Sequence, residues 1–235
     1  MPGLTIRAWL MSAADPELAS SKRHDRPQRP RDSATLIVVR RDGPVPRVLM
    51  GQRHGAHAFM PNLYVFPGGR YDAADGRARV SQDLSSTTLA KLMVKMRVVP
   101  TLSRARGLAL TALRETFEET GYQIGAAAAP DLSGLAFIGR AITPPGRTRR
   151  FDSRFFAIDA RHLGNLDAPA HPGSGELEVV QWLTFAEALA LDLPQITRET
   201  LGRLRPKIEA GGWPQPEDPV PFQYQHNGKW HHEVL

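Results

Sequence analysis

Apolar residues recur along this chain with two different periods. Short runs rich in Val, Ile, Leu and aromatic residues, bounded by Gly, Pro or Asp, predict β-strands. These runs occupy residues 34–40, 48–52, 64–66, 135–142, 154–158 and 176–182. Asp42, Gly43 and Pro44 lie between the first two runs and are typical of a turn, so we expect these runs to form consecutive strands.

Helical periodicity appears in longer segments between these runs. Apolar residues in 103–120 follow the helical period, and Gly121 suits the left-handed conformation that ends many helices. Thr184 and Glu187 form a capping-box pattern, which predicts that a helix begins there.

The two ends of the chain are less regular. Residues 1–33 combine prolines with a basic run and predict an irregular, poorly packed arm. Near the other end, a helix over 195–204 is expected to stop ahead of Pro206. Residues 219–235 are expected to form an extended tail, of which an edge strand is one form.

An apolar stripe at helical spacing runs through residues 76–99 and is closed by Pro100. Its members are Leu89, Leu92, Met93 and Met96. Such a stripe favours packing against the rest of the fold over a ligand site. A lid over a pocket and a dimer surface are the alternatives.

Composition is compatible with one folded unit. A chain of 235 residues with 41% hydrophobic residues can bury a full core. The absence of cysteine excludes a disulfide framework and thiol chemistry, and suits a reducing cytosol. No apolar run approaches the ~20 residues that a bilayer span needs. We therefore expect a cytoplasmic protein without a membrane partner.

The charge balance is basic, with 30 Lys and Arg against 24 Asp and Glu, a net charge of +6. Much of the excess lies in residues 22–53 and 140–154. A basic surface suits nucleic acid or a small substrate that bears several phosphates. No interleaved aromatic and basic motif favours RNA, so nucleic acid is the less favoured partner.

Three carboxylates are concentrated near the end of the predicted helix 103–120. Glu115, Glu118 and Glu119 fall within an arc of about 100° on one helix face. A group of hard oxygen ligands is what Mg²⁺ or Mn²⁺ prefers. The alternative is a solvated acidic face, balanced by Arg114 at i+4 to Glu118.

A double glycine follows the predicted strand 64–66. Gly68 and Gly69 let the backbone approach another group closely, so that a carbonyl there can act as a metal ligand. A simple turn after Pro67 is the alternative.

Together, these two segments resemble the Nudix hydrolase signature, in which a Gly, five residues and an acid precede Arg-Glu-x-x-Glu-Glu-x-Gly. Gly69 fills the glycine, Asp75 stands where the family usually has Glu, and residues 114–121 match the second half. Between Asp75 and Arg114 the chain has 38 residues (76–113) where the family usually has seven. A similar long insertion, and short pieces like 59–61, occur in the branch of the family that includes coenzyme A diphosphatases.

The resemblance implies an α/β/α sandwich with a mixed β-sheet and a helical insertion. Residues 34–235 would form the hydrolase domain, residues 76–107 the insertion within the signature, and residues 1–33 an arm outside it. A mixed sheet also accommodates the order of strands and helices predicted above.

The resemblance also implies metal-assisted hydrolysis of a phosphoanhydride bond with Mg²⁺ or Mn²⁺ as cofactor. Arg114 would orient the carboxylates that hold the metal. The expected metal ligands are the Gly68 carbonyl, Glu115, Glu118 and Glu119. In the family, a carboxylate from a later loop often assists the metal or acts as general base. Glu176 and Glu178 are the candidates for that role, and solvent-facing strand residues are the alternative.

Arginines are expected to contact the substrate, because a guanidinium binds phosphate through two parallel hydrogen bonds. Arg147, Arg149 and Arg150 lie on the connection between two predicted strands, where a purely solvated role is the alternative. The arginines that we expect to bind substrate are Arg53, Arg70, Arg147 and Arg150.

The favoured substrate is a nucleoside diphosphate linked to another moiety, with coenzyme A or acyl-CoA giving 3',5'-ADP and (acyl)phosphopantetheine. The resemblance of the insertion to the coenzyme A branch supports this choice. The same chemistry on ADP-ribose, a dinucleoside polyphosphate or a modified nucleotide is open. A non-catalytic nucleotide sensor or RNA-binding module on the same fold is a further alternative, as is a homodimer.

Overall fold

The computed structural model describes residues 28–55, 62–125, 129–147, 149–170, 173 and 175–235. Most of the expected N-terminal arm and the segment 59–61 lie outside these residues. Within the described ranges, no helix has the length and apolar character that crossing a membrane requires.

The described strands form one mixed nine-stranded sheet, in the order β3-β2-β1-β6-β5-β8-β9, with β4 paired to β1 and β7 paired to β2. β1 is parallel to β6 and β5 is parallel to β8, whereas the other pairs are antiparallel. The strands are β1 (Arg31–Arg40), β2 (Arg47–Arg53), β3 (Tyr64–Val65), β4 (Gly68–Arg70), β5 (Ala136–Ile142), β6 (Phe151–Asp159), β7 (Leu177–Thr184), β8 (Pro221–His226) and β9 (Lys229–Val234). The expected mixed sheet is confirmed.

Helices cover both faces of this sheet. They are α1 (Ser86–Met93), α2 (Leu102–Thr120), α3 (Phe185–Ala190) and α4 (Gln195–Glu209). Because side chains alternate along a strand, Leu36 and Val38 of β1 face the core with α1 and α2, while Ile37 and Val39 face the core with α3 and α4. The fold is therefore the expected α/β/α sandwich.

The insertion packs on the body of the protein. Leu89 and Leu92 of α1 are buried in the core shared with α2, and Met93 and Met96 pack against it. Within the described residues, the apolar stripe of the sequence is thus part of this chain's own core.

α4 continues beyond its predicted end. We expected the helix to stop ahead of Pro206, but it extends to Glu209 with Pro206 inside it, so that prediction was wrong. Pro206 has no N–H to donate to the carbonyl of Gly202, a residue that is exposed and so leaves that carbonyl to water. Ile208 is buried with Leu204 in the core, and this packing stabilises the last turn.

The C-terminal tail forms a hairpin rather than a single extended strand. β8 and β9 are antiparallel and join at Asn227 and Gly228, which have φ of 49° and 73°. Asn-Gly is the preferred pair for a two-residue turn with positive φ, so the sequence contained a signal for this hairpin. β8 pairs with β5 and thereby extends the sheet.

Candidate active site

α2 carries the carboxylate cluster and is well defined at both ends. The Thr101 hydroxyl accepts a hydrogen bond from the Arg104 amide at 3.1 Å, which caps the N-terminus. Gly121, with φ of 73°, ends the helix in the predicted left-handed conformation. Ala105 and Ala109 lie in the core on one helix face. This packing fixes the direction in which the last two turns present their carboxylates.

β4 brings the glycine backbone against these carboxylates. The Gly68 amide donates a hydrogen bond to Glu119 Oε2 at 3.0 Å. A Cβ atom at Gly69 would lie 2.3–2.4 Å from the carboxyl atoms of Glu115, far inside contact distance. The two segments that the signature predicts to meet are therefore adjacent, and a side chain at position 69 would displace Glu115.

Arg114 links the carboxylates to the start of the insertion. Its Nη1 donates to Glu115 Oε1 at 2.8 Å and to Glu118 Oε2 at 3.2 Å, while its Nη2 donates to the Arg70 carbonyl at 3.1 Å. Its Nε donates to Asp75 Oδ1 at 2.9 Å. Arg114 thus sets the orientation of two of the three glutamates.

Asp75 is buried beneath this arginine with 6% of its surface exposed. Thr111 Oγ1 donates to its Oδ2 at 2.7 Å. Burial raises the pKa of the Asp75 carboxyl, but hydrogen bonds from Arg114 and Thr111 outweigh it and leave the pKa below its usual value. Asp75 is therefore a charged partner of Arg114, and the shorter acid still reaches it.

The three glutamates differ in burial. Glu119 is 3% exposed, whereas the Glu118 side chain is 49% exposed. Burial raises the pKa of Glu119 to about 8, against the Gly68 hydrogen bond and with the help of the negative charges of Glu176 and Glu115. Burial also raises the pKa of Glu115 despite the adjacent Arg114. A nearby cation would favour the charged form of both carboxyls.

Glu176 and Glu178 occupy different places, although only one residue separates them. Glu176 lines the same cavity as Glu115 and Glu118, and its charge raises the pKa of Glu119. Glu178 Oε1 lies 3.0 Å from His54 Nε2, and Glu178 is not among the lining residues. The structure thus brings Glu176, but not Glu178, to the helix carboxylates.

A cavity of about 1150 Å³ opens beside these carboxylates and contains many arginines. The lining arginines are Arg29, Arg31, Arg53, Arg70, Arg97, Arg104, Arg114 and Arg149. Of the four that we expected to bind substrate, Arg53 and Arg70 line the cavity. Arg147 and Arg150 do not, whereas Arg149, on the same connection, does.

Arg150 is engaged elsewhere. Its Nε donates to the Thr143 carbonyl at 3.0 Å and its Nη1 donates to the Gln28 carbonyl at 2.8 Å. Arg149 thus lines the cavity while the next residue, Arg150, binds backbone carbonyls. No signal in the sequence distinguishes the two.

Several lining residues were not expected from the sequence. Arg104 donates from Nε to Asp32 Oδ2 at 3.0 Å, and its guanidinium lies 4.4 Å from the centre of the Tyr71 ring. Arg97 reaches the cavity from the insertion. No local pattern in the sequence separated Arg97 from its neighbours.

The donor set fits a hard divalent cation. Glu115, Glu118 and Glu119 offer carboxylate oxygens close together on the last two turns of α2. Among the described residues, no group of three or more acidic or histidine side chains already stands in metal-binding geometry. Glu118 is bonded to Arg114 instead.

No protein-family model matches the chain, and no curated protein matches it. The chain is similar to the solved structure of a Nudix hydrolase from Alicyclobacillus acidocaldarius, with 25% identity over 78% of this chain and 92% of that chain and a TM-score of 0.59. It also aligns with a MutT Nudix hydrolase from Burkholderia pseudomallei, with 16% identity, coverage of 75% and 99%, and a TM-score of 0.47. A third structure is the Nudix domain of Shewanella oneidensis NrtR complexed with ADP-ribose, with 13% identity, coverage of 84% and 99%, and a TM-score of 0.49.

The first of these similarities confirms the Nudix-type fold that the signature implied. It also supports a Nudix pyrophosphohydrolase as the class of enzyme.

Proposed function

We propose that this chain hydrolyses a phosphoanhydride bond in a nucleotide derivative, using Mg²⁺ or Mn²⁺. One observation carries the proposal: the three glutamates of α2 meet the glycine backbone of β4 at the wall of an arginine-lined cavity. Glu115, Glu118, Glu119 and the Gly68 carbonyl would hold the metal.

A diphosphate bridge is difficult to hydrolyse because its negative charge repels an attacking hydroxide. When bound, the metal would supply positive charge to the phosphate oxygens and lower the pKa of the attacking water. The protein positions its ligands in advance. Arg114 holds Glu115 and Glu118, and Asp75 holds Arg114 in turn.

Glu119 contributes the most buried carboxyl of the site. The Gly68 amide fixes its Oε2, so the side chain has a set position beside the β4 backbone. Burial raises its pKa to about 8, which favours the protonated form at neutral pH, and a cation bound beside it would restore the charged form.

We assign the general base to Glu176 rather than to Glu178. Glu176 lines the cavity, and its charge is felt by both Glu115 and Glu119. Glu178 is engaged with His54 outside the lining. A carboxylate that faces the substrate can accept a proton from the attacking water, whereas one outside the cavity cannot.

Arg53, Arg70 and Arg149 are the substrate contacts that this geometry favours, in place of Arg147 and Arg150. Arg53 is the most informative of them, because burial lowers the pKa of its guanidinium while the charges of Glu119 and Glu176 raise it. It therefore lies near the carboxylates and could bind a phosphate oxygen there.

Coenzyme A or an acyl-CoA is the substrate that we favour, with 3',5'-ADP and (acyl)phosphopantetheine as products. The long insertion supports this choice, and Arg97 of the insertion lines the cavity. ADP-ribose and dinucleoside polyphosphates remain competing substrates for the same site. A cytoplasmic location is proposed from the absence of cysteine alone. The burial of the α1 stripe lends no support to a homodimer built on it.

The test is a substrate panel with products identified by mass. The purified chain is incubated with Mg²⁺ or Mn²⁺ and coenzyme A, ADP-ribose, NADH, diadenosine polyphosphates or nucleoside triphosphates. Cleavage of at least one diphosphate linkage is expected, with coenzyme A giving 3',5'-ADP. Glu115→Gln should abolish cleavage, and Glu217→Gln, an exposed carboxylate outside the cavity, serves as the matched control. Lack of cleavage of every compound with both metals would reject the hydrolase and favour the binding module.

A further inference from the structure

We propose that the cavity contains a second anion site, formed by Arg29, Arg31 and Arg97, for a phosphate monoester on the substrate away from the bond that is cleaved. The inference rests on the proposed function in one respect: it takes this cavity as the place where the nucleotide binds. It adds the residues that would bind a further phosphate of the substrate beyond its diphosphate.

The guanidinium groups of the three arginines are open to a ligand, as are those of Arg70 and Arg149. All three are exposed and line the cavity, and within the described residues no carboxylate forms an ion pair with any of them. Arg104 and Arg114, which line the same cavity, are paired with Asp32 and Asp75. Unpaired cations in a concave surface concentrate a positive field, which attracts anions.

The segments that carry the three arginines meet at Arg150. The Arg31 amide donates to the Arg150 carbonyl at 2.9 Å, and Arg29 is two residues before Arg31. Burial and the positive charge of Arg97 both lower the pKa of Arg150, which places Arg97 near the same segment. Like charges repel, so a bound dianion would stabilise this arrangement. A phosphate monoester, with a charge of about −1.5 to −2, matches such a group.

Arg97 is held at the cavity by a buried anchor. The chain turns at Lys95, whose φ of 48° is rare for a residue other than glycine. Arg140, which is 2% exposed, donates from Nη1 to the Val94 carbonyl at 2.7 Å and from Nη2 to the Lys95 carbonyl at 3.1 Å. Asp152 accepts from Arg140 Nε at 2.8 Å. The buried Arg140 therefore fixes the backbone that leads to Arg97, as expected for one wall of a binding site.

The arginine cluster is separated from the metal-binding carboxylates. Asp32, next to Arg31, accepts a hydrogen bond from Arg104 on α2. Arg31 precedes Ala34 by three residues on β1, about 10 Å along the strand, and Ala34 pairs with Gly69, which lies beside the Glu115 carboxyl. A phosphate bound by the cluster is therefore distinct from the diphosphate beside Glu115, and belongs to a different part of the substrate.

A binding experiment without divalent cations tests the site independently of catalysis. Isothermal titration compares 5'-AMP, 3',5'-ADP and 2',5'-ADP on the full chain. We expect one of the two ribose phosphates to tighten binding at least about tenfold over 5'-AMP. Arg97→Gln and Arg31→Gln should each reduce this ratio toward one. Arg79→Gln, an exposed arginine of the same insertion that does not line the cavity, should retain the ratio.

The preferred isomer identifies the ribose position that the site reads. Equal binding of all three nucleotides by the wild-type chain would overturn the proposal, as would an unchanged ratio in both arginine variants. Thermal unfolding of each variant shows whether the fold is retained. Arg31 lies on β1 and Arg97 lies between α1 and α2. If one variant fails to fold, the other variant still tests the anion site.

The ratio of affinities for the doubly phosphorylated nucleotide and for 5'-AMP also separates this proposal from the proposed function. Glu118→Gln should lose turnover but keep the preference for the additional phosphate, because Glu118 lies outside the arginine cluster. Coenzyme A and dephospho-coenzyme A differ only by the 3'-phosphate. A comparison of their kcat/KM values therefore tests the same preference during turnover. Failure to cleave both compounds would count against coenzyme A as the substrate, while the titration would still decide the anion site.

Discussion

At the scale of single residues, burial divides three glutamates that are equivalent in the sequence. Glu119 is enclosed and bonded to the Gly68 amide, Glu115 is partly enclosed and bonded to Arg114, and Glu118 is half exposed. Their environments indicate different tasks. Glu119 sets the position of the site against β4, whereas Glu118 is free of the core and can be altered with little cost to the fold.

Glu118→Gln should lower turnover at least ~100-fold, because the loss of one anionic ligand removes several kcal/mol of charge stabilisation. Steady-state kinetics with saturating Mg²⁺ measure the loss, and the thermal unfolding midpoint should stay close to that of the wild-type chain. Glu217→Gln is the control. Full activity of Glu118→Gln would reject Glu118 as a metal ligand.

Without a metal, the buried carboxyl of Glu119 should lower the stability of the folded protein as pH rises. The pKa of a glutamate carboxyl is ordinarily 4.5, and that of Glu119 is about 8 in the folded chain, so between these values the folded state binds more protons than the unfolded state. The free energy of unfolding therefore falls with rising pH across this window. Chemical denaturation in EDTA at several pH values should show this decrease, and Glu119→Gln should show a smaller one. Identical pH dependence in both proteins would contradict the raised pKa.

Gly69→Ala should impair catalysis without unfolding the protein. The added Cβ would overlap the carboxyl of Glu115, the mobile end of a side chain, which would move away from its present position. We expect at least ~10-fold lower kcat/KM and a nearly unchanged unfolding midpoint. Gly139→Ala is the matched control, because its Cβ would meet atoms only at an ordinary 3.8 Å. Equal activities of the two variants would show that Glu115 does not need its present position.

At the scale of elements, the insertion is an integral layer of the fold. α1 contributes Leu89 and Leu92 to the core, Ser103 Oγ donates to the Gly76 carbonyl at 2.5 Å, and Arg140 binds the carbonyls that follow α1. These contacts connect the insertion to α2, which carries the carboxylates. The insertion therefore helps to define the cavity while it stabilises the helix beneath it.

Arg140→Ala should destabilise the protein by about 3–5 kcal/mol, because it leaves a buried carboxylate at Asp152 with one cation fewer. Urea denaturation measures the loss, and amide exchange should accelerate in residues 94–99. Arg205→Ala removes an exposed i,i+4 pair with Glu209 and should cost less than about 0.5 kcal/mol. Comparable losses in the two variants would contradict the anchoring role of Arg140.

At the scale of the whole molecule, the sheet brings distant basic segments to one cavity. The register of β1 with β6 places Arg31 opposite Phe151, and the pairing of β1 with β4 places Ser33 opposite Arg70. Residues near 30, 70, 97 and 149 therefore surround the same space, although the chain separates them widely. The net charge of +6 adds a general attraction for anionic substrates.

Association with a polyphosphate substrate should therefore depend on ionic strength. Raising NaCl from about 50 to about 300 mM shortens the screening length to about 6 Å, and we expect kcat/KM to fall several-fold while kcat changes little. Sucrose at the same osmolarity is the control. An unchanged kcat/KM would show that the cavity arginines contribute no long-range attraction.

Local sequence patterns were sufficient to predict most helices and strands, because each of these patterns depends on residues that are neighbours in the chain. The capping box at Thr184, the left-handed end at Gly121 and a strand over most of residues 176–182 all appear in the structure, although burial along β7 does not alternate. The exception in α4 is instructive. Proline lowers the local preference for helix, but the burial of Ile208 is a tertiary contact that a local rule does not include.

The amino-acid sequence is enough to identify the candidate site: a carboxylate-rich helix, a double glycine and an excess of arginine, in an order that resembles a Nudix signature. Residue types and helical spacing carry that information, because they depend only on covalent structure and local periodicity. Three features are visible only in the folded chain: Glu176 rather than Glu178 lies with the helix carboxylates, Arg149 rather than Arg150 lines the cavity, and Arg97 lines it too. The direction of a side chain depends on strand register and on partners remote in sequence, so no local pattern contains it.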